Sequence, residues 1–195
     1  LGNDSPDDRV VSVQTISGTG ANHLGALFLS RYYRYNGEKA IYLSDPTWGK
    51  WKFAWRLLGD SCLEIPHRAV NHFAIFENVG IKQRVYPYFD PKTIGLDFDG
   101  FIATLENAPE RSVFLLHACA HNPTGVDPTE EQWETIAGVF LAKRHYAFFD
   151  SAYQGFASGD LDRDARAVRY FVSHGVPMLI CQVRGVQVFV GVESV

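Results

Sequence analysis

The chain has 195 residues and a formal net charge of −4, with 46% hydrophobic and 14% aromatic residues. That composition is globular rather than disordered, and a chain of this length can bury roughly 70% of its unfolded surface. The acidic balance gives no electrostatic case for a nucleic-acid partner. No apolar run approaches the ~20 residues of a membrane-spanning helix. Cys62, Cys119 and Cys181 are an odd set, the last two in apolar strand-like runs, which points to free thiols in a reducing compartment. The first residue is Leu1 and no basic stretch leads into an apolar one. The chain is therefore expected to begin inside a protein, and a cytoplasmic or mitochondrial-matrix location fits equally.

Residues 17–21, SGTGA, precede Leu24, Leu27 and Phe28 at helical spacing, which predicts a Gly-rich turn feeding a helix of about three turns that closes at Arg31. AIYLS at 40–44 reads as a short strand stopped by Asp45 and Pro46. The segment 49–70 departs from its surroundings, with Trp51, Phe53 and Trp55 among basic residues and no strand–turn–helix logic. A helix at 71–79, a strand near 84–88 and a DPKT turn at 90–93 follow. VFLLHACA at 113–120 is the continuous apolar run of a strand covered on both faces. Asp127 reads as an N-cap, with Pro128 at the first helical position and Glu130 three residues after the cap. The helix it opens runs to about 144 and carries Trp133, Ile136, Ala137, Phe140 and Leu141 on one face. YAFFD at 146–150 is another buried strand. A helix at 163–174 presents Ala165, Val168, Phe171 and Val172, ends at Gly175 and leads into the strand PMLICQ. This alternation predicts an α/β fold of three layers, a mainly parallel sheet with helices on both faces.

Four places carry candidate chemistry. Ser17, Gly18 and Thr19 stand at a helix start, where unpaired N–H groups and the helix dipole attract phosphate; the same residues also suit an ordinary capped helix entry. No Lys-Ser/Thr follows, so this is not a Walker loop. The preceding strand and the later acidic residue of a dinucleotide fingerprint are not convincing here. Asp150 ends an apolar strand, and sites in parallel sheets gather at such carboxyl ends. It reads either as a turn aspartate or as the partner of a buried cation such as a protonated ring nitrogen. Such a pair at ~4 Å and an effective dielectric of ~20 attracts by about 4 kcal/mol before desolvation. His117 points to one sheet face, and Asn122 lies just past the strand end, near Asp150 if the two strands are neighbours. The Cys and His spacing matches no zinc pattern, so no metal is expected. Trp48, at a strand exit, can stack on a planar cofactor or join the core.

In order, SGTGA, PTWG, NHFAIFENVG, YFDPKTIGLDFDG, SVFLLHACAHNPTGVDP and FFDSAYQGFASGD, spread over about residues 1–49 and 71–182, resemble the aspartate aminotransferases, fold-type I enzymes that use pyridoxal 5′-phosphate. The resemblance implies that residues 1–182 are an incomplete cofactor-binding large domain. It implies amino-group exchange between L-aspartate and 2-oxoglutarate, and a homodimer. It also implies that Gly18 and Thr19, with Ser17 beside them, hold the phosphate, and that Trp48 stacks on the pyridine ring. Asn122 and Tyr153 would bond the phenolic oxygen, and Asp150 would keep the pyridine nitrogen protonated. His72 and His117 would flank that aspartate.

Two blocks depart from the family. There, a strand ending in Cys-Gln is followed by Ser-Tyr/Phe-Ala-Lys-Asn, whose lysine bonds the cofactor. Here Gln182 is followed by VRGVQVFVGVESV, and Lys39, Lys50, Lys52, Lys82, Lys92 and Lys143 lie in other contexts. No catalytic residue is assigned, and negligible transamination is expected. The alternative is a non-catalytic fragment that at most binds the cofactor or a partner subunit. Residues 50–70 and 183–195 read as a non-family insert and tail, both translated introns. Gly49–Lys50 and Gln182–Val183–Arg184 can be encoded across GT boundaries; a genomic sequence without GT at those points refutes this. Missing strands are expected to leave a sheet edge open. Arg166 stands where the family usually has Trp.

Overall fold

A computed structural model of the protein describes residues 10–48, 72–184 and 187–193. In chain order the first elements are β1 (Val10–Gln14), α1 (Ser17–Tyr32), β2 (Ala40–Asp45), α2 (His72–Asn78) and β3 (Lys82–Pro87). The short strands β4 (Phe89–Asp90) and β5 (Gly95–Leu96), α3 (Phe98–Asn107), β6 (Val113–His117) and α4 (Glu130–Lys143) follow. Then come β7 (Tyr146–Ser151), α5 (Leu161–Asp164), α6 (Arg166–Ser173), β8 (Met178–Arg184) and β9 (Gln187–Glu193). The main sheet has the order β1-β9-β8-β7-β6-β2-β3. Its five strands from β8 to β3 are parallel, while β9 is antiparallel to both β8 and β1. The α/β fold read from the sequence is the fold observed.

The central strands are apolar throughout because both faces are covered. Every residue of β6 and of β7 is buried. Strand alternation then sorts their side chains into two cores. Val113, Leu115, Tyr146 and Phe148 pack with α1 and α2, through Ala21, Ala26, Leu29, Ile75 and Phe76. Phe114, Leu116, Ala147 and Phe149 pack with α3, α4 and α6, through Phe101, Leu105, Trp133, Phe140 and Phe171. The α1 helix lies very close to the sheet. A Cβ on Gly25 would come within 2.8 Å of Leu179 and 2.9 Å of Phe148, so only glycine fits at that crossing.

Several boundaries differ from the sequence reading. The SGTG segment is the first turn of α1 rather than a turn before it, and α1 spans 16 residues. β6 stops at His117, and Ala120 takes a φ of 47°. Asp127 does not cap α4. Its carboxylate accepts from the backbone N–H groups of Ala120 at 2.6 Å and His121 at 2.9 Å, which the chain reversal after β6 leaves without a ladder partner. The cap is Thr129, in a reciprocal capping box with Gln132. The α3 helix was not anticipated, although Phe98, Phe101, Ile102 and Leu105 have helical spacing and Asp97 accepts from Gly100 N–H at 3.0 Å. The expected 163–174 helix is divided at Ala165, and Val172 and Leu141, expected on buried faces, are 36% and 42% exposed. A sheet edge was expected to be open; the side of β8 away from β7 is paired by β9, within the proposed tail. The 50–70 block lies outside the described residues.

The two acidic or hydroxyl groups of this region act at different places, so their loss differs in size. Thr129→Ala removes a cap and is expected to cost about 1 kcal/mol. Asp127→Ala strands two partly buried N–H groups and is expected to cost more, ~2 kcal/mol or above. Urea denaturation of the two variants checks the order; a larger loss for Thr129→Ala contradicts the assignment.

Candidate functional site

β6 and β7 are neighbours in register, with His117 opposite Asp150. Alternation puts both on the α1/α2 side, with Leu115 and Phe148. The α1 helix runs against the strands. Gly18 abuts Val183 at the carboxyl end of β8, and Gly25 abuts Leu179 further back. The first turn of α1 therefore stands at the carboxyl edge of the sheet, beside Asp150. Asn22, three residues or roughly 4.5 Å of helix rise beyond Thr19, donates its side-chain amide to Asp150 Oδ2 at 3.3 Å. His72, the first residue of α2, places Nε2 at 3.0 Å from the same oxygen. Its Nδ1 is 2.9 Å from Thr47 Oγ1. An ionised carboxylate only accepts, so Nε2 carries the proton in this contact.

Asp150 is 7% exposed. Burial is the largest influence on it and pushes its pKa up. The hydrogen bond and charge of His72, with His117 and the Asn22 amide, outweigh burial and hold the carboxyl below its ordinary value. His117 is pushed down to about 3, by burial first and then by His72, so it is neutral at physiological pH. Its buried Nε2 has no hydrogen-bond partner. His72 bridges the group, with its ring edge-on to Trp48 at 5.3 Å and to His117 at 5.4 Å.

The opposite wall begins at His121. Its Nε2 is 2.8 Å from Ser44 Oγ and its Nδ1 is 2.8 Å from Thr124 Oγ1. Its ring stacks on Tyr88 with centroids 3.7 Å apart. The next residue, half-buried Asn122, donates to the Tyr153 hydroxyl at 3.2 Å. The loop after Tyr153 is tied by Asp164, which accepts from Gly155 N–H at 2.7 Å, Ala157 N–H at 3.1 Å and the Ser158 hydroxyl at 2.6 Å.

Of the residues singled out in the sequence, His72 bonds Asp150 directly, and His117 lies beside it in register. Ser17 is exposed, with a φ of 61°, and Gly18 and Thr19 are half-buried in the first turn of α1. Asn122 and Tyr153 pair with each other rather than with Asp150. Asn22, Thr47, His121 and Asp164 were given no role in the sequence reading, and Asp127 was read only as a helix cap. Asn22 was legible as the one polar side chain on the buried stripe Ala21, Gly25, Ala26 and Leu29; Thr47 and His121 bond partners 25 and 77 residues away, while Asp127 and Asp164 bond loop groups six to nine residues away that no periodicity marks.

A sheet of this topology, with a buried carboxylate at the carboxyl edge under a Gly-rich helix start, defines a class as well as a site. Residues 70–183 match the model of aminotransferase class I and II, and the chain belongs to that family. The cytoplasmic aspartate aminotransferase of Saccharomyces cerevisiae is 48% identical over 179 residues, which cover 90% of this chain and 37% of that protein. The mitochondrial aspartate aminotransferase of Schizosaccharomyces pombe is also 48% identical, over 92% of this chain and 36% of that protein. The crystal structure of an aromatic-amino-acid aminotransferase from Burkholderia pseudomallei, covalently bound to pyridoxal phosphate, matches with a TM-score of 0.82 at 32% identity. That match covers 100% of this chain and 45% of that one. The chain thus spans under half the length of these relatives. Among the described residues no helix is long and apolar enough to cross a membrane, and no three metal-ligating side chains converge.

The buried histidines set an acid response. His117 and His121 have pKa values lowered from 6.5 to about 3 and about 2, burial being the main cause in each. Between these values and 6.5 the unfolded chain binds the extra protons, so stability falls as pH falls, by up to about 1.4 kcal/mol per pH unit for each group. The Asp150 contribution, from a lowered pKa, persists to lower pH and is lost only below the ordinary carboxyl value of 3.8. Melting temperature is expected to drop already between neutral pH and about pH 5, with a shallower drop in His117→Gln. A flat profile in that range contradicts the buried neutral histidines.

Proposed function

We propose that this chain is part of the cofactor-binding domain of an enzyme that moves an amino group between L-aspartate and 2-oxoglutarate with pyridoxal 5′-phosphate. The observation that carries this reading is Asp150: a buried carboxylate, held ionised by His72 and Asn22, at the carboxyl edge of the sheet. The relatives named above support the same activity. The donor set suits the cofactor. The anion of Asp150 would face a protonated pyridine nitrogen, and both hydrogen bonds it receives go to Oδ2, which leaves Oδ1 for that contact. The start of α1, with Ser17, Gly18 and Thr19, would take the phosphate through backbone N–H groups. Trp48 would lie against the ring. Asn122 and Tyr153, already paired at 3.2 Å, would hold its phenolic oxygen.

When bound, the cofactor supplies an electron sink for charge developing on the amino acid. The chain's own residues bind and orient. His72 donates to Asp150 and keeps its charge; Thr47 fixes the far nitrogen of His72; neutral His117 packs behind them without competing for the carboxylate. No group here is assigned to the proton transfer at the amino acid, because the segment directly following Gln182, VRGVQVFVGVESV, contains no lysine. Residues 50–70 and 183–195 are proposed as blocks foreign to the family, and the complete protein as a homodimer in the cytoplasm or the mitochondrial matrix. The second reading, a non-catalytic fragment that binds the cofactor or a partner subunit, is favoured for this chain by its tail. There β9 fills the sheet position beside β8 with a segment that contains no lysine.

Titration of the chain with pyridoxal 5′-phosphate, followed by tryptophan fluorescence, is expected to saturate. Asp150→Asn is expected to weaken binding about ten- to a hundredfold, the loss of one buried charge pair. Equal binding by the variant sinks the role of Asp150. Amino-group exchange above that of the free cofactor sinks the inactivity of this chain, and no saturable binding in either protein sinks the cofactor reading.

A further inference from the structure

The amino-terminal edge of the sheet carries a second concave site, on the side opposite Asp150. It is a cavity of about 30 Å³, lined by Tyr35, Asn36 and Glu38 before β2, Arg84 on β3, and Arg111 and Ser112 before β6. From Val113 to His117 the chain advances roughly 13 Å along β6, at about 3.3 Å per residue, so the two sites sit at opposite ends of one strand.

Three features set this pocket apart from an ordinary surface dimple. The Tyr35 hydroxyl is buried without a hydrogen-bond partner. Burial, and then the neighbouring Tyr33, push its pKa well up, so it remains a neutral phenol with a proton to donate. Charge is the second feature. Glu38, the only carboxylate lining the cavity among the described residues, is already engaged by Arg84 at 2.7 Å and by Lys82. Lys82, Arg84 and Arg111 thus outnumber it, and a net positive charge remains. The third is backbone geometry. Arg111 holds a φ of 63°, a conformation costly for a residue with a Cβ. It is clamped there because its N–H donates to Lys143 O at 3.0 Å and its carbonyl accepts from the Tyr33 hydroxyl at 2.8 Å. Tyr33 in turn packs edge-on against Tyr35 at 4.9 Å. The arginine and the phenol are therefore parts of one braced unit.

We infer that this pocket binds a small oxyanion, the carboxylate or phosphate end of a small molecule, between Tyr35, Arg84 and Arg111. An oxyanion supplies the acceptor that the buried phenol lacks and matches planar guanidinium donors. The volume fits two oxygen-sized atoms, since about 10–15 Å³ holds one water. Two oxygens of the headgroup enter and the rest of the ligand stays in solvent. The inference is independent of the cofactor reading, because none of its residues belongs to that site.

The test titrates the chain, at constant ionic strength, with inorganic phosphate and separately with acetate, reading phosphorus or carbon line widths and melting temperature. The wild type is expected to bind one of the two saturably, which also separates a phosphate from a carboxylate ligand. Arg111→Gln is expected to weaken binding at least tenfold, and Tyr35→Phe about three- to tenfold. Phosphate binding that is the same in Arg111→Gln and wild type places the ion elsewhere, the α1 start included, and overturns the inference. Failure of the wild type to bind either anion overturns it too. If Arg111→Gln does not fold, Tyr35→Phe, which removes a single oxygen, decides: weakened binding supports the site and unchanged binding refutes it.

Discussion

A carboxylate buried at the end of an apolar strand is costly unless donors surround it, and a broken buried pair can cost 3–5 kcal/mol. Asp150 meets that condition through groups from three separate parts of the chain. Asn22 comes from one helix, His72 from the start of another, and Thr47, from the exit of β2, holds the far side of His72. The position of α1 follows from this constraint. Its amide reaches Asp150 only because Ala21, Gly25 and Ala26 let the helix lie almost on the strands. The imidazole of His117 completes the enclosure in neutral form, chiefly because its burial disfavours the charged ring.

Loops carry the remaining polar groups, and two acidic residues hold those loops by the same device. Asp127 gathers the N–H groups of Ala120 and His121 just ahead of Asn122, and Asp164 gathers those of Gly155, Ala157 and Ser158 just after Tyr153. A carboxylate receiving several backbone donors is a strong, short-range anchor. The Asn122–Tyr153 pair is thus pinned from both sides without regular secondary structure.

The two edges of the sheet have different characters. At the carboxyl edge, an anion is buried among donors that leave room for a cationic ring. At the amino edge, cations outnumber carboxylates around an unpaired phenol. Between them, β9 enters antiparallel beside β8 and closes the lateral edge with β1. Hydrogen bonding along an exposed strand accepts a segment of many sequences, because the ladder is made by backbone. That explains how the segment 187–193 finds its place in the sheet through backbone pairing with β8 and β1.

The sequence by itself determined the α/β class, the buried strands of β6 and β7 and most helices. Apolar runs and helical periodicity are local, and solvent exclusion enforces them wherever the strands end up. It also singled out Asp150, Asn122 and Trp48 as strand-end residues, and the long HACAHNPTG and FFDSAYQG motifs carried the family. Tertiary structure alone decided which groups meet. Asp127 looked like a helix cap because its local spacing allowed one, yet unpaired N–H groups at the β6 reversal outcompeted the helix end. Asn22 and Thr47 reach the Asp150 cluster across 128 residues of chain in one case and through His72, 25 residues away, in the other. Periodicity cannot encode such distances; only the packing of α1 and α2 on one face of the sheet brings those partners within hydrogen-bonding reach.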